Sequence, residues 1–179
     1  MSRDIELIKS MHIIGNMVRG LQYGMEENLR TLANKLGITY PGLRILWILH
    51  FEKEMSITML SKIGLWDIST TQRIVSNLHK HNFIHVNKSE EDSRIRLISL
   101  NQNGWKLIEN AYIILSQMQA DPDLPCAIEK ALDKYNSDDF RKFLEVGLYI
   151  CTEMISQDYV NWVHKSMKTY LKRKIEELE

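Results

Sequence analysis

Proline and glycine are scarce in this chain, three and eight among 179 residues, so long uninterrupted helices are easy to accommodate. Cysteine occurs only at Cys126 and Cys151. Two thiols do not make a disulfide framework, and a reducing cytoplasm fits. No stretch approaches the roughly 20 apolar residues of a spanning helix, so no membrane partner is expected. The first residues, Met1-Ser-Arg-Asp-Ile-Glu-Leu-Ile-Lys9, carry charge where a secretory signal needs an apolar core. There is no P-loop, no dinucleotide glycine signature, no nucleophile elbow and no H-E-x-x-H, which points away from an enzyme and from any cofactor. Net charge is missing too, since 23 basic and 23 acidic side chains cancel and the sequence pI is about 7.0. That argues against a protein that coats nucleic acid non-specifically, and it leaves a local basic surface open. What remains is ordinary globular composition, 44% hydrophobic and 26% charged.

Periodicity then organises the chain. Leu7, Met11, Ile14, Val18, Leu21, Met25, Leu29, Leu32 and Leu36 recur at helical spacing and predict one long helix over the first 36 residues. Its stripe needs partner helices, from the same chain or another, and Gly15, Gly20 and Gly24 allow close approach. Thr39 caps a helix with Pro41 in its first turn, running to about Glu52, with Leu43, Leu46, Trp47 and His50 on its core face. Ser56 caps a short helix bearing Ile57, Leu60 and Ile63, and Gly64 is expected to stop it. Asp67 caps a helix over about 68–81 with Ile68, Thr71, Ile74, Val75 and Leu78 inward. Asn82 stands where a left-handed residue belongs.

The pattern changes after Asn82. Phe83-Ile-His-Val-Asn-Lys88 and Ile95-Arg-Leu-Ile-Ser-Leu100 are β-rich and flank the polar Ser89-Glu-Glu-Asp-Ser-Arg94, which predicts a hairpin with a charged tip. Asn101 caps a helix to about Gln119, Asp121-Pro-Asp-Leu-Pro125 breaks it, a short helix covers about 126–135, and one or two more run from Ser137 to the end. Val160, Val163, Met167, Leu171, Ile175 and Leu178 keep helical spacing there.

A short helix, a glycine turn, a second helix and then a hairpin is the order of a winged helix-turn-helix. The second helix turns Ser69, Thr70, Gln72, Arg73, Ser76, Asn77 and Lys80 away from its apolar stripe. These suit a DNA major groove: arginine bonds guanine edges, glutamine and asparagine read adenine, and hydroxyls take bases or phosphates. The helix N-terminus favours phosphate oxygens. At the wing, Arg94 sits at the tip with Asp92 two residues earlier, placed to hold it. An arginine there suits a minor groove. Lys88 and Arg96, on the two strands, complete the candidate DNA-binding set. Glu90 and Glu91 count against close phosphate approach.

These residues resemble the MarR family of bacterial transcription regulators. Ile68-Ser-Thr-Thr-Gln-Arg-Ile-Val-Ser-Asn-Leu78 is similar to its recognition helix. Asp92-Ser-Arg94 followed by Leu100-Asn-Gln-Asn-Gly104 is similar to its wing. Ile45-Leu-Trp-Ile48, Ser56-Ile57, Lys62-Ile-Gly-Leu65 and Ile68-Ser-Thr70 resemble most the protease-production (Hpr-type) regulators within it. The resemblance covers about residues 5–120. It departs at Asn82 (usually glycine), Ser93 (often basic) and Asn101 (usually threonine).

The resemblance implies a homodimer whose first and last helices interdigitate. It also implies a repressor on a pseudo-palindrome with half-sites about one helical turn apart. A small phenolic or lipophilic effector would bind between the DNA-binding and dimer regions, and protease and sporulation genes would be targets. The expected fold is therefore mainly α with a small β-hairpin wing (α+β). Residues 1–36 form a dimerisation helix, 37–101 the winged helix-turn-helix and 102–179 a C-terminal helical dimerisation region. The runner-up is a winged-helix protein-interaction module without DNA binding.

Other groups have blander readings. His79, His81 and His85 straddle a helix end and a strand start, with no cysteine or paired carboxylate to complete a metal set. Cys126 and Cys151 read as buried inert thiols rather than redox sensors. Lys165, Lys168, Lys172, Arg173 and Lys174 read as a solvated helix face, followed directly by Glu176, Glu177 and Glu179. Trp47, Trp66 and Tyr23 are candidates for an effector pocket, with core packing the default.

Overall fold

The structure, a computed structural model, describes residues 3–90, 92, 94–119 and 127–176. Glu91, Ser93, the Asp121–Pro125 break and Cys126 lie outside these residues. So do the side chains of Lys172, Arg173 and Lys174.

Helix α1 runs from Arg3 to Lys35 and α2 from Tyr40 to Phe51. The Thr39 side chain accepts the Gly42 N–H at 3.3 Å, the cap the sequence predicts. Between α2 and α3 (Ile57–Gly64) lies a two-residue strand that no periodicity announced, β1 (Met55–Ser56). Ser56 both ends that strand and caps α3, accepting from the Met59 N–H at 3.2 Å. Helix α4 follows over Ile68–Lys80, then β2 (Ile84–Lys88) and β3 (Arg96–Leu100) form the wing. Helix α5 (Gln102–Gln119) leads to α6 (Ala127–Lys134), α7 (Ser137–Met154) and α8 (Gln157–Glu176). The fold is mostly helical with a small antiparallel sheet, as expected.

Two local expectations are corrected. Gly64 does not supply the left-handed stop of α3; it is the last helical residue, and Leu65 takes the left-handed conformation at φ 59°. Gly64 is glycine for space instead, because a Cβ there would run into the Trp66 ring. Ile68 does not join the buried face of α4 but stands 49% exposed, while Thr71, Ile74, Val75 and Leu78 are buried. At the first helical position, Ile68 precedes the turn that packs on α2. Asn82 is left-handed as predicted, at φ 57°.

The sheet has the order β1-β3-β2, all antiparallel. Ile84 faces Leu100 and Val86 faces Ile98, with Ile84, Ile98 and Leu100 buried. These meet Leu43, Ile45, Leu46 and Leu49 of α2, Leu60 of α3 and Ile108 of α5 in one core. Burial of each large aliphatic side chain contributes about 1.5–3 kcal/mol, so this core holds the winged unit. From α1 only Leu32 and Ala33 are fully buried, with Leu29 and Leu36 packed beside them. From α8, Val160 is buried and Trp162 rests on the core. The apolar residues of α1 from Leu7 to Met25, and Phe143, Leu144, Val146 and Tyr149 of α7, stand exposed. Nothing in the described structure lies near Gly15, Gly20 or Gly24.

Candidate nucleic-acid interface

Helix α4 buries one stripe and turns the other outward. Ser69, Gln72, Arg73, Ser76, Asn77 and Lys80 are exposed, and Thr70 is half-buried at the edge of that stripe. Spacings of three and four residues put them on one face, opposite Thr71, Ile74, Val75 and Leu78.

The first turn is tied down by Asp67. Its Oδ1 accepts the Ser69 hydroxyl at 2.6 Å and the Thr70 N–H at 2.7 Å, and its Oδ2 accepts the Thr70 hydroxyl at 2.7 Å. The buried Thr71 hydroxyl donates to the Asp67 carbonyl at 3.0 Å. The Ser69 hydroxyl, then the Thr70 N–H and hydroxyl, hold the Asp67 carboxyl well below the usual carboxylate range. Its charge meets the positive end of the helix dipole. The N-terminus of α4 is therefore not the open phosphate site that its sequence suggested.

The other end of α4 is fused to the wing. The Phe83 N–H donates to the Leu78 carbonyl at 3.0 Å and the Asn82 N–H to that of His79 at 2.9 Å. Asn101 reaches back across the sheet, its Nδ2 donating to the Asn82 carbonyl and side-chain oxygens at 3.0 Å each, while its Oδ1 accepts the Gly104 N–H at 3.0 Å. One asparagine thus caps α5 and anchors the turn from which the wing departs. His79 Nδ1 lies 3.3 Å from the Ile84 carbonyl oxygen, and His81 Nδ1 lies 2.8 Å from that of Asn77. Both rings therefore serve the helix end.

At the tip, Asp92 Oδ1 accepts the Arg94 N–H at 2.9 Å and its Nε–H at 3.3 Å. The backbone bond turns the chain and the side-chain bond aims the guanidinium, which keeps its terminal nitrogens clear; the Arg94 side chain is 91% exposed. Below the tip, Lys88 and Arg96 are direct cross-strand partners and both are exposed. Two like charges directly opposite one another destabilise a hairpin, and a phosphate between them would reverse that. The candidate residues therefore form two groups, the α4 stripe and the wing, joined through Asn82. The cap role of Asp67 is legible in the sequence, whereas its bonds to both hydroxyls go beyond what a cap requires. The signal for them was its position two and three residues before Ser69 and Thr70.

A small apolar cavity of about 180 Å³ lies under α2, lined by Leu29, Tyr40, Arg44, Trp47 and Trp162 among others. Of the three aromatic residues singled out in the sequence, only Trp47 lines it. Trp66 instead lies under the Arg44 guanidinium, 5.5 Å from it, and Tyr23 is exposed on α1. Trp162, which periodicity did not single out, contributes a buried Nε1 with no hydrogen-bond partner.

Comparison with known proteins agrees with this geometry. A family model described as transcriptional regulator SarA/Rot matches residues 29–111. The chain is 28% identical over 133 residues to the organic hydroperoxide resistance transcriptional regulator of Bacillus subtilis, covering 74% of this chain and 82% of that one. It is 29% identical over 83 residues to the HTH-type transcriptional repressor IacR of Pseudomonas putida, 46% of this chain and 50% of that one. It is 24% identical over 95 residues to the HTH-type transcriptional regulator Hpr of Lysinibacillus sphaericus, 53% and 51% respectively. The chain thus spans about half the length of two of these relatives. Among solved structures, a mutant MarR from E. coli complexed with operator DNA superposes with a TM-score of 0.63 at 15% identity, covering 80% of this chain and 97% of that one. The regulator BldR from Sulfolobus solfataricus gives 0.58 at 18% identity, covering 83% and 99%. At these identities the structural likeness shows the fold. Among the described residues no helix is long and apolar enough to cross a membrane. By sequence over residues 29–111 the chain is similar to the SarA/Rot transcriptional regulators, and its fold is that of the MarR-type winged-helix proteins.

Proposed function

We propose that this chain binds double-stranded DNA sequence-specifically as a cytoplasmic homodimer and represses transcription from pseudo-palindromic operators. The observation that carries the reading is the wing tip, where Asp92 aims an otherwise uncovered Arg94 while Lys88 and Arg96 face each other below it. An arginine held in that way suits a narrow minor groove, and the α4 stripe suits the adjoining major groove. The exposed apolar stripes of α1 and α7 support the dimer. The repressor assignment follows the relative named as a repressor. The resemblance to Hpr-type regulators makes protease and sporulation promoters the first targets to screen. The cavity beneath α2, with Arg44 and the unpartnered Trp162 N–H on its wall, fits a small apolar effector carrying a hydrogen-bond acceptor.

The test is fluorescence anisotropy with a pool of genomic duplex fragments, titrated with salt and repeated with Arg94→Ala and Arg73→Ala. Salt-sensitive binding is expected. Arg94→Ala should weaken it with a shallower salt dependence, and Arg73→Ala should relax base preference. A folded protein that binds no duplex at low salt would leave the protein-interaction module in its place.

A further inference from the structure

We propose that Asp67 fixes the hydrogen-bond polarity of the recognition helix, so that Ser69 and Thr70 meet DNA as acceptors only and select base pairs presenting an amino group to them. The inference rests on the DNA-binding reading above and adds to it which edge these two residues recognise.

A serine or threonine hydroxyl has one proton and two lone pairs, and an ionised carboxylate has no proton at all. With the Ser69 and Thr70 oxygens 2.6 and 2.7 Å from Asp67 oxygens, each hydroxyl proton must point at the carboxylate. These are the short distances of charge-assisted bonds, among the stronger ones a protein makes. Only lone pairs then remain to face outward. The Thr70 N–H and both hydroxyls keep the carboxyl ionised far into acid, so the polarity does not change near neutral pH.

The major groove offers few partners to such a surface. Its donors are the amino groups of adenine N6 and cytosine N4, whereas guanine O6 and N7, adenine N7, thymine O4 and the phosphates all accept. An acceptor pressed against an acceptor leaves two desolvated groups unpaired, which costs more than the bond it replaces. Ser69 stands in the exposed stripe and Thr70 at its edge, so both are positioned to discriminate. Further along the same face Gln72, Arg73 and Asn77 keep their own donors. The helix is thereby divided: its first turn reads amino groups, and Arg73, one turn on, reads acceptors. The carboxylate charge also turns phosphates away from this end, which leaves backbone contact to the wing and to Lys80.

Asp67→Asn tests the inference. Asparagine caps helices about as well as aspartate, and its amide can donate to a neighbouring hydroxyl, freeing that hydroxyl's proton to point outward. An operator is first selected from a random duplex pool with the wild-type protein. Each adenine is then replaced by purine, and each cytosine by 2-pyrimidinone, which deletes one amino group at a time. At one or two positions per half-site, deletion should weaken wild-type binding roughly ten-fold. The same deletions should cost Asp67→Asn less than about three-fold, and reselection with it should favour guanine or thymine there. Ser69→Ala and Thr70→Val leave the cap intact and should each lose the discrimination at one of those positions. They carry the test if Asp67→Asn does not fold. Unchanged deletion profiles in all folded variants, with operator binding retained, would overturn the inference alone. No duplex binding by the wild type would overturn both it and the reading beneath it.

Discussion

Helices α1 and α2 carry the same three-to-four spacing of apolar residues and meet opposite fates. In α2, Leu43, Leu46 and Leu49 are at most 1% exposed. In α1, Leu7, Met11, Ile14, Val18, Leu21 and Met25 range from 37% to 64% exposed. The stripe of α1 becomes buried only at Leu32 and Ala33, where α2 and α5 lie against it. Periodicity dictates which face of a helix is apolar and says nothing about what covers it. Where the chain supplies a partner the stripe becomes core. Where it does not, the stripe is a contiguous apolar surface of the kind that marks an interface.

The sharpest way to break that contrast is to charge the uncovered stripe. Ile14→Lys combined with Leu21→Lys should leave the helical circular dichroism intact and convert the proposed dimer to monomer in sedimentation velocity. Operator affinity should fall about 100-fold or more, because the second half-site ceases to be tethered to the first. A surviving dimer would move the interface to α7. In the covered stripe the effect belongs to folding instead. Leu46→Ala should lower unfolding stability by about 2–5 kcal/mol in urea titration, whatever the protein concentration. If the two substitutions exchanged these signatures, α1 would be core and α2 surface.

Much of this architecture was legible in the sequence, and the reason differs by element. Caps were readable because Thr39, Ser56, Asp67 and Asn101 act within three residues of themselves. The wing was readable from β-rich runs flanking a charged tip, and Asp92 does bond Arg94. Strand β1 was not, because two residues carry no period and their pairing with Leu97 and Ile98 is more than 40 positions away. The role of Gly64 was misread since a glycine near a helix end can serve conformation or space, and only the Trp66 ring decides between them. Ile68 was placed inward by its apolar character, whereas the first position of a helix lies outside the packed turns. In the candidate site, residue identities were legible and proton directions were not, because polarity depends on which neighbour is ionised.

A smaller test sits where the wing meets α5. A Cβ on Gly104 would strike the Phe83 carbonyl, which already accepts the Asn101 N–H at 3.2 Å. Backbone cannot step aside as a side-chain tip can. Gly104→Ala should therefore cost about 1–3 kcal/mol, read as a lower urea midpoint with an unchanged slope. Because this junction also seats the wing through Asn82, operator affinity at a temperature where the variant stays folded should drop as well. An unchanged midpoint would mean that α5 can shift away from Phe83 without loss. Gly20→Ala, in the open stretch of α1, makes the matching control: in the monomer it should stabilise slightly, by about 0.5–1 kcal/mol.

The least effect is expected at a polar clasp between α8 and the winged unit. Lys165 Nζ donates to both Glu52 oxygens, at 2.7 and 2.9 Å, just beyond the end of α2. The geometry is good, but the lysine side chain is 62% exposed, and water and salt screen such pairs to about 0–1 kcal/mol. The apolar contacts beside it, buried Val160 and the Trp162 ring, remove more area from water and should hold α8 in place on their own. Lys165→Ala should therefore shift the urea midpoint only slightly, and less still at high salt. Val160→Ala should shift it more, at every salt concentration. If the order were reversed, α8 would be docked by charge. The join between the terminal helices and the winged unit would then depend on ionic strength, unlike the apolar core on its other side.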